Sequence, residues 1–254
     1  MKDLSPLGMW REWSAVVAAN RTQFAKCPVY VEQNSIPAHK FEELALEVFK
    51  YGSIDLAGKM RDAEYGARVV LTSIGAVTRM WLESNVEIGF LQRHLPNLGR
   101  FNVLDIGAGY GRLAVPLSKC AGSVTCIDAV PISTEICREY CGRFAPAVNV
   151  ISLADFQGPW SSRQFDLAIN IHSFNECSLE QIEAWLDTLK EMGVPWLFTV
   201  SHGQMNHSPE PSYRAWEENA CGPSWRHLLS DRYKLIAEES LGLAPNPHAL
   251  WHRR

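Results

Sequence analysis

The sequence has no excess of positive charge and no long apolar run. Its 254 residues carry a formal net charge of −4, so it lacks the basic field that attracts nucleic acids. The N-terminal segment has no continuous apolar stretch typical of a signal peptide, and no run reaches the ~18 apolar residues of a membrane span. We therefore expect a cytoplasmic protein with no nucleic-acid partner and no membrane contact.

Cysteine is present without a recognisable pattern. The seven cysteines have no regular spacing, which is more typical of a reducing compartment than of a disulfide framework. Cys137 and Cys141 share a helix face at i, i+4, but no second pair at ligand spacing accompanies them. The sequence therefore predicts no metal site.

The character of the chain changes near residue 98. Residues 41–52 alternate apolar and charged side chains at helical spacing, and residues 62–95 read as two successive helices. From Phe101 onward, short β-rich runs alternate with amphipathic segments, which is typical of βαβ units and a parallel sheet. The sequence predicts a part that is helical throughout, 1–98, followed by an α/β domain, 99–254.

Within the α/β domain the apolar runs predict individual elements. Strands are predicted at 102–107, 123–128, 148–152, 165–171 and 194–200, and helices at 111–121, 132–144 and 179–193. Two further strand-like runs, 233–241 and 248–252, flank a turn-rich segment and predict a terminal β-hairpin.

The strongest local signal is the segment "VLDIGAGYGR". A strand containing Asp105 leads into Gly107, Gly109 and Gly111, where the missing Cβ atoms let a ligand approach the backbone at the start of a helix. The dinucleotide fingerprint G-x-G-x-x-G would place its last glycine where this chain has Arg112. Asp105 also suits a ligand with a positive amino group better than a pyrophosphate. A tight turn required by sterics alone is the alternative reading.

Two acids after the next two strands argue against that alternative. Asp128 ends the second strand, where a carboxylate can accept both hydroxyls of a ribose. Asp155 follows the third strand, where it can accept the amino group of an adenine, with Phe156 beside it to pack on the ring. Together with the glycine segment, these residues predict a nucleoside pocket.

The glycine segment, with Asp128 and Asp155 downstream, resembles the class I S-adenosylmethionine-dependent methyltransferases. The resemblance covers about residues 100–254 and implies S-adenosylmethionine as the cofactor. It implies a doubly wound, seven-stranded, mainly parallel sheet with an antiparallel C-terminal strand, here preceded by a helical extension. In that family the first acid lies near the methionine moiety and the second binds the ribose. The cofactor-binding residues expected are Asp105, Gly107, Ala108, Gly109, Gly111, Asp128, Ala129, Asp155, Phe156 and Asn170.

The fourth predicted strand ends in polar residues, "NIHSFNE". Period 2 places Asn170 and His172 on one strand face, toward the crevice across from the glycine loop. A neutral imidazole, with an unperturbed pKa of about 6.5, can take the proton of an attacking hydroxyl, which makes His172 the candidate general base. Glu176 and Asn175 could orient the imidazole or accept a hydrogen bond from a hydroxyl of the methyl acceptor. Ser178 is the better N-cap for the next helix, which leaves the earlier polar residues without that task.

The same segment is similar to one in the bacterial sugar O-methyltransferases, in which "NIHSF" followed by an acid closes the fourth strand. This resemblance implies a hydroxyl of a sugar or glycan precursor as the methyl acceptor. His202, after the fifth strand, is the rival base or a partner of His172. A methyltransferase for a non-sugar metabolite and a catalytically silent binding protein of the same fold remain alternatives.

The N-terminal part has no cofactor motif, so we expect it to cover the crevice and bind a small-molecule or saccharide acceptor. Arg79 and Glu83 could reach toward either ligand, and residues 201–231 form a segment long enough to be functional. Glu176 and Asp128 are not an obvious Mg²⁺ pair, so we expect metal-independent transfer. A homodimer is one option for the assembly. The aromatic residues on which a sugar ring could pack are Trp10, Trp13, Tyr30, Tyr65 and Trp81. Trp216 and Trp225 belong to the segment 201–231.

Overall fold

The computed structural model describes most of the chain. The described residues are 14–15, 17–19, 21–26, 36–51, 55–156, 164–201, 225–243 and 246–254. Their strands are β1 (Val69–Thr72), β2 (Gly75–Thr78), β3 (Asn102–Ile106), β4 (Ser123–Asp128), β5 (Asn149–Ser152), β6 (Leu167–Ile171), β7 (Trp196–Val200), β8 (Tyr233–Leu241) and β9 (Asn246–Arg253). Their α-helices are α1 (Ala38–Tyr51), α2 (Arg79–His94), α3 (Ala114–Leu117), α4 (Pro131–Phe144), α5 (Leu153–Phe156), α6 (Leu179–Glu191) and α7 (Arg226–Ser230).

Seven strands form one sheet in the order β5-β4-β3-β6-β7-β9-β8. The strands from β5 to β7 pair in parallel, whereas β9 is antiparallel to both β7 and β8. The strand order reverses between β3 and β6, and doubly wound sheets bind ligands beyond the carboxyl ends of the strands at such a point. The predicted mainly parallel sheet with an antiparallel C-terminal strand is confirmed.

The sheet is apolar on both faces because helices cover both. Val103 packs in one core with Phe90 of α2, and the adjacent Leu104 packs in the other with Leu186 of α6. Each such side chain contributes roughly 1.5–3 kcal/mol when it is fully buried. This burial on both faces explains why the central strands appear in the sequence as continuous apolar runs. The predicted bounds of these strands differ from the observed bounds by at most two residues.

The N-terminal part is mainly helical, but the prediction that it is helical throughout is wrong. The first predicted helix of residues 62–95 is replaced largely by the β1–β2 hairpin, whereas the second is α2. Along β1, exposed and buried residues alternate, so the pattern follows period 2. The turn is closed by the Thr72 hydroxyl, which donates to the Gly75 carbonyl at 2.7 Å, and by the positive φ of 99° at Gly75.

The helix predicted over residues 111–121 is much shorter than expected. Only α3 is α-helical there, and turns precede and follow it. Gly111 has a φ of 88°, and Pro116 has no backbone N–H to donate to the carbonyl of residue 112, so both delay the start of the helix. None of the described helices is long and apolar enough to cross a membrane.

Candidate functional site

The glycine loop after β3 is built from left-handed residues. Gly107, Gly109 and Gly111 have φ values of 73°, 58° and 88°, a region that side chains other than glycine rarely adopt. The backbone N–H of Gly107 donates to the carbonyl of Ile127 in β4 at 2.8 Å. A Cβ on Gly107 would lie 2.3 Å from the Ser173 hydroxyl oxygen, so glycine is needed here for space as well as for φ.

Asp128 at the end of β4 is tied to this loop. One carboxylate oxygen accepts from the Gly109 N–H at 2.9 Å, and the other accepts from the Val130 N–H at 2.8 Å. Burial raises the pKa of Asp128 to about 6, although these N–H donors oppose the shift. Each oxygen keeps further acceptor capacity, so the carboxylate can also receive ribose hydroxyls.

Asp105 in β3 is a buried carboxyl beside a buried cation. Burial raises the pKa of Asp105 to about 7, and the nearby Arg112 guanidinium opposes this shift. Arg112 in turn donates two hydrogen bonds of 2.8 Å to the Glu87 carboxylate and one of 3.0 Å to the Ser84 hydroxyl, both on α2. These hydrogen bonds therefore join the glycine loop to α2, the last α-helix before the seven-stranded sheet.

A pocket at the carboxyl edge of the sheet collects most of the predicted residues. Those that line it are Asp105, Gly107, Ala108, Gly109, Asp128, Ala129, His172 and Glu176. Lining residues to which the sequence analysis gave no role include Met80, Tyr110, Arg112, Val130, Ser173, Cys177 and Trp185. The predicted residues that are described but lie outside the lining are Gly111, Asp155, Phe156, Asn170 and Asn175. Thus the structure brings the glycine loop, two of the three acids and the candidate base together.

Asn170 lies beneath the pocket, where it organises the end of β6. Its side-chain NH₂ donates to the Ile106 carbonyl at 3.2 Å and to the Ser173 hydroxyl at 2.6 Å. Its side-chain oxygen accepts from the Phe174 N–H at 2.9 Å. These contacts hold the end of β6 against the end of β3, directly below the glycine loop.

His172 follows β6 in a left-handed conformation. Its φ of 64° ends the strand alternation, so the period-2 argument that placed it beside Asn170 does not reach this residue. Such backbone positions cost about 1–3 kcal/mol and cluster at functional sites. The His172 N–H donates to the Val200 carbonyl at 2.7 Å, and its carbonyl accepts from the Asn175 N–H at 2.9 Å. The backbone of His172 is therefore fixed on both sides.

The 3₁₀ turn Ser173–Glu176 carries the other polar candidates. Glu176 lines the pocket, whereas Asn175 is buried. The next helix begins as predicted at Ser178, whose hydroxyl oxygen accepts from the Gln181 N–H at 3.2 Å in a complete capping box. Because Ser178 serves as the N-cap, the polar residues before it are not needed for capping.

The third predicted acid has a local partner. The Ser152 hydroxyl donates to the Asp155 carboxylate at 2.7 Å and accepts from the Asp155 N–H at 3.1 Å. Phe156 is buried against Trp185, with ring centroids 5.9 Å apart, and Trp185 itself lines the pocket. The adenine contacts of Asp155 and Phe156 stay a prediction. The candidates that lie outside the described residues are Trp10, Trp13, Tyr30, His202 and Trp216.

Of the remaining aromatic residues, Trp81 and Trp225 are buried and Tyr65 is partly buried. Trp81 is 3% exposed, and its indole N–H donates to the Asp55 carbonyl at 2.6 Å. Tyr65 stacks on Phe24 with ring centroids 4.6 Å apart. Trp225 is 1% exposed and is therefore also buried. Burial leaves Trp81 and Trp225 no free ring face on which a sugar could pack.

The charged candidates of α2 have internal partners. Arg79 and Glu83 form an ion pair at 3.7 Å, and the Glu83 carboxylate also accepts from the Leu243 N–H at 3.1 Å. Burial raises the pKa of Glu83, and Arg79 opposes the shift. These contacts tie α2 to the turn between β8 and β9.

A further contact between the N-terminal part and the glycine loop had no sequence signal. The Asp62 carboxylate accepts from the hydroxyls of Tyr110 at 3.3 Å and Tyr140 at 2.7 Å. Tyr110 belongs to the glycine loop, so the N-terminal part holds the loop both through Asp62 and through the Glu87–Arg112 pair. The residues involved are far apart in sequence, and only the fold brings them together.

Comparison with known proteins agrees with this geometry. Residues 103–195 match the model of a family described as a methyltransferase domain. The matched range contains the glycine loop, the three acids and the polar end of β6. No curated protein matches the chain significantly.

Two of the solved structures that share the fold of this chain illustrate the likeness. The PH0226 protein from Pyrococcus horikoshii OT3 is 16% identical with a TM-score of 0.54, over 68% of this chain and 91% of that one. The N-methyltransferase NodS from Bradyrhizobium japonicum WM9, solved in complex with S-adenosyl-L-homocysteine, is 15% identical with a TM-score of 0.51, over 67% of this chain and 87% of that one. At these identities the likeness is one of fold.

The residues of the pocket fit S-adenosylmethionine. The left-handed glycines leave the loop without Cβ atoms, Asp128 offers carboxylate oxygens for ribose hydroxyls, and the buried Asp105 suits a cationic amino group. The match to a methyltransferase-domain model and this donor set together support S-adenosylmethionine as the cofactor.

Proposed function

We propose that this methyltransferase moves a methyl group from S-adenosylmethionine to a hydroxyl of a sugar or glycan precursor, with His172 as the general base. The observation that carries the proposal is one pocket in which His172 and Glu176 stand with the glycine loop and Asp128. A base beside the cofactor site is what methylation of an alcohol requires, because the hydroxyl must lose its proton as it attacks.

The chain's own residues would divide the work as follows. When bound, S-adenosylmethionine supplies an electrophilic methyl group on a positive sulfonium. The glycine loop and Asp128 bind the ribose end, and Asp105 pairs with the amino group of the methionine end. These contacts orient the cofactor and leave the polar end of β6 for the acceptor.

His172 is suited to its role by its anchoring as well as by its chemistry. Its backbone is held by Val200 and Asn175, which limits the orientations of the imidazole. A positioned general base typically contributes ~10²–10⁴-fold to the rate. Glu176, four residues after His172 at the end of the turn, is placed to accept a hydrogen bond from a hydroxyl of the acceptor or to orient the imidazole. His202 remains the rival base.

Four observations support a saccharide acceptor. The "NIHSF" segment carries the similarity to sugar O-methyltransferases, and the polar rim of His172 and Glu176 can exchange hydrogen bonds with several hydroxyls. Trp185 adds an aromatic side chain to the pocket lining. The net charge of −4 favours such an acceptor over a nucleic acid.

The test is transfer of an isotopically labelled methyl group from S-adenosylmethionine to a panel of sugars and sugar nucleotides, read by mass spectrometry. We expect a methyl ether on one acceptor, and a loss of ~10²–10⁴-fold in kcat for His172→Asn. Asparagine tolerates the left-handed backbone of position 172, so this variant removes the base without straining the turn. The exposed His227→Asn is the matched control and should keep full turnover.

The same panel separates the alternatives. NodS is named as an N-methyltransferase, so amines of matched size belong in the panel. Methylation of amines alone would refute the hydroxyl acceptor, and transfer only to non-sugar alcohols would refute the saccharide. Cofactor binding without any turnover would favour the catalytically silent protein. Full activity of His172→Asn would refute the base and direct attention to His202.

A further inference from the structure

Three cysteine thiols meet beneath the glycine loop. Cys126 lies in β4, and Cys137 and Cys141 lie one turn apart on α4. All three are buried, and their sulfur atoms lie within 4.8 Å of one another. The Cys137 and Cys141 sulfurs are 3.9 Å apart. The sequence showed only the helical pair, and the fold adds the third thiol from the neighbouring strand.

The cluster lies next to the candidate active site without lining its pocket. Cys126 pairs with the pocket residue Asp105 across β4 and β3, but none of the three cysteines is part of the pocket lining. Gly111 lies beside the thiols, since a Cβ at that position would be 2.7 Å from the Cys141 sulfur and 3.0 Å from the Cys137 sulfur. The thiols therefore pack against a residue of the glycine loop that does not line the pocket.

The number of ligands limits the ions that could bind. Among the described residues the group has three members, with no fourth cysteine, histidine or carboxylate. Structural zinc sites almost always have four ligands, whereas thiolates select soft ions. Burial penalises net charge, so three thiolates in an apolar core are best matched by an ion of charge +3. A soft trivalent ion that is satisfied by three ligands meets both requirements.

We propose that Cys126, Cys137 and Cys141 form a three-thiolate binding site for a soft trivalent metalloid of the arsenic(III) class. With arsenous acid, three S–H bonds and three As–O bonds break, three As–S bonds form, and three water molecules leave. Arsenic stays in its +3 state, so no oxidant or reductant is needed. The product is neutral, as its buried setting demands.

The experiment uses the full chain, reduced and free of small thiols, titrated with sodium arsenite. Native mass spectrometry should show one arsenic per chain, and X-ray absorption should show three sulfur ligands. Ala substitution at Cys126, Cys137 or Cys141 should weaken binding by more than about tenfold. The matched control is Cys120→Ala, which removes a partly buried thiol outside the cluster and should leave binding unchanged.

Because the three thiols are buried, a variant can fail to fold, so wild-type crystals soaked with arsenite give a second readout. Anomalous diffraction at the arsenic edge should place one peak among the three sulfur atoms. The proposal is overturned by a peak elsewhere or no peak, by fewer than three sulfur ligands, or by binding that survives in a folded single variant of the cluster.

Discussion

Gly107 and Ser173 meet across the crevice, one from the loop after β3 and the other from the turn after β6. A Cβ on Gly107 would lie 2.3 Å from the Ser173 hydroxyl oxygen and 2.4 Å from its Cβ, far inside van der Waals contact. The Ser173 hydroxyl also donates to the Ile106 carbonyl at 3.3 Å. The cofactor loop and the turn that carries His172 are therefore one packed unit.

The first prediction concerns this contact. Gly107→Ala should lower the free energy of unfolding, because the left-handed φ alone costs an alanine about 1–2 kcal/mol and the overlap with Ser173 adds to it. The double variant Gly107→Ala/Ser173→Gly should recover the unfolding free energy that is lost to the overlap. It should not recover what is lost to the left-handed φ. Urea denaturation measures all three proteins.

Gly142→Ala is the control for that series. Gly142 lies within α4, has no positive φ, and would place its Cβ in open space. We expect a neutral change or a gain of roughly 0.5–1 kcal/mol from better helix propensity. An equal loss of unfolding free energy in Gly107→Ala and Gly142→Ala would refute the close approach of the two loops. So would a Gly107→Ala protein as stable as the wild type.

The second prediction is the pH dependence of cofactor affinity. The pKa values of Asp105 and Asp128, raised to about 7 and about 6 by burial, mean that both lose charge as the pH falls toward 5. A cationic ligand favours the ionised carboxylates, so affinity for S-adenosylmethionine should rise from pH 5 to pH 8 and then level off. Calorimetry in buffers of different ionisation heat should also detect proton release on binding at pH 6.5.

The stability of the free protein should change in the opposite direction. A carboxyl whose pKa is raised by folding stabilises the folded state below its unfolded pKa of about 4, and that contribution is lost as the pH rises through the folded value. Asp105→Asn should remove the change near pH 7 from the profile of cofactor affinity against pH and from the profile of stability against pH. An affinity that does not change between pH 5 and pH 8 would contradict the assignment of these acids.

The third prediction concerns the buried ion pair that joins α2 to the glycine loop. Burial alone would lower the pKa of Arg112, but Glu87 outweighs it and the pKa is raised, so the guanidinium stays charged. Glu87→Gln would leave that charge without its carboxylate, which typically costs 3–5 kcal/mol, about the cost we expect here in free energy of unfolding. The affinity for S-adenosylmethionine should fall as well, because the glycine loop loses the ion pair that holds it to α2.

The exposed pair Arg143–Glu64 provides the comparison for Glu87→Gln. Both side chains are more than half exposed, and pairs of this kind contribute little to stability. Glu64→Gln should therefore leave unfolding unchanged. Equal effects of the two substitutions in a denaturant titration would show that the Glu87–Arg112 pair does not support the loop.

Local patterns were enough to predict the sheet and the cofactor loop. Continuous apolar runs identify β3 to β7, because helices cover both faces of these strands. The glycines, with Asp105 and Asp128, mark the strand ends that meet at one edge of the sheet. The β1–β2 hairpin was missed because its valines and threonines also fit a helical apolar pattern in residues 62–95. The alternation of exposed and buried residues along β1 can be recognised only when the Thr72–Gly75 turn is known.

The parts of the site that depend on packing between distant segments could not be predicted. Arg112 was noted as a departure from a glycine fingerprint, but its partner Glu87 lies 25 positions away on another element. Trp185 has the pattern of an ordinary buried helix residue and still reaches the pocket. Asn170 was expected to face the cofactor, yet its amide organises the backbone below it, a role that spacing alone does not reveal.

The most direct test of the central claim is calorimetric titration of the full chain with S-adenosylmethionine. We expect one site per chain, and a loss of about tenfold or more in affinity for Asp128→Ala, because hydrogen bonds to a charged group contribute about 1.5–3 kcal/mol. Asp231→Ala, at an exposed position after α7, should bind as the wild type does. Absence of binding to the wild type, or equal affinity of all three proteins, would contradict this expectation.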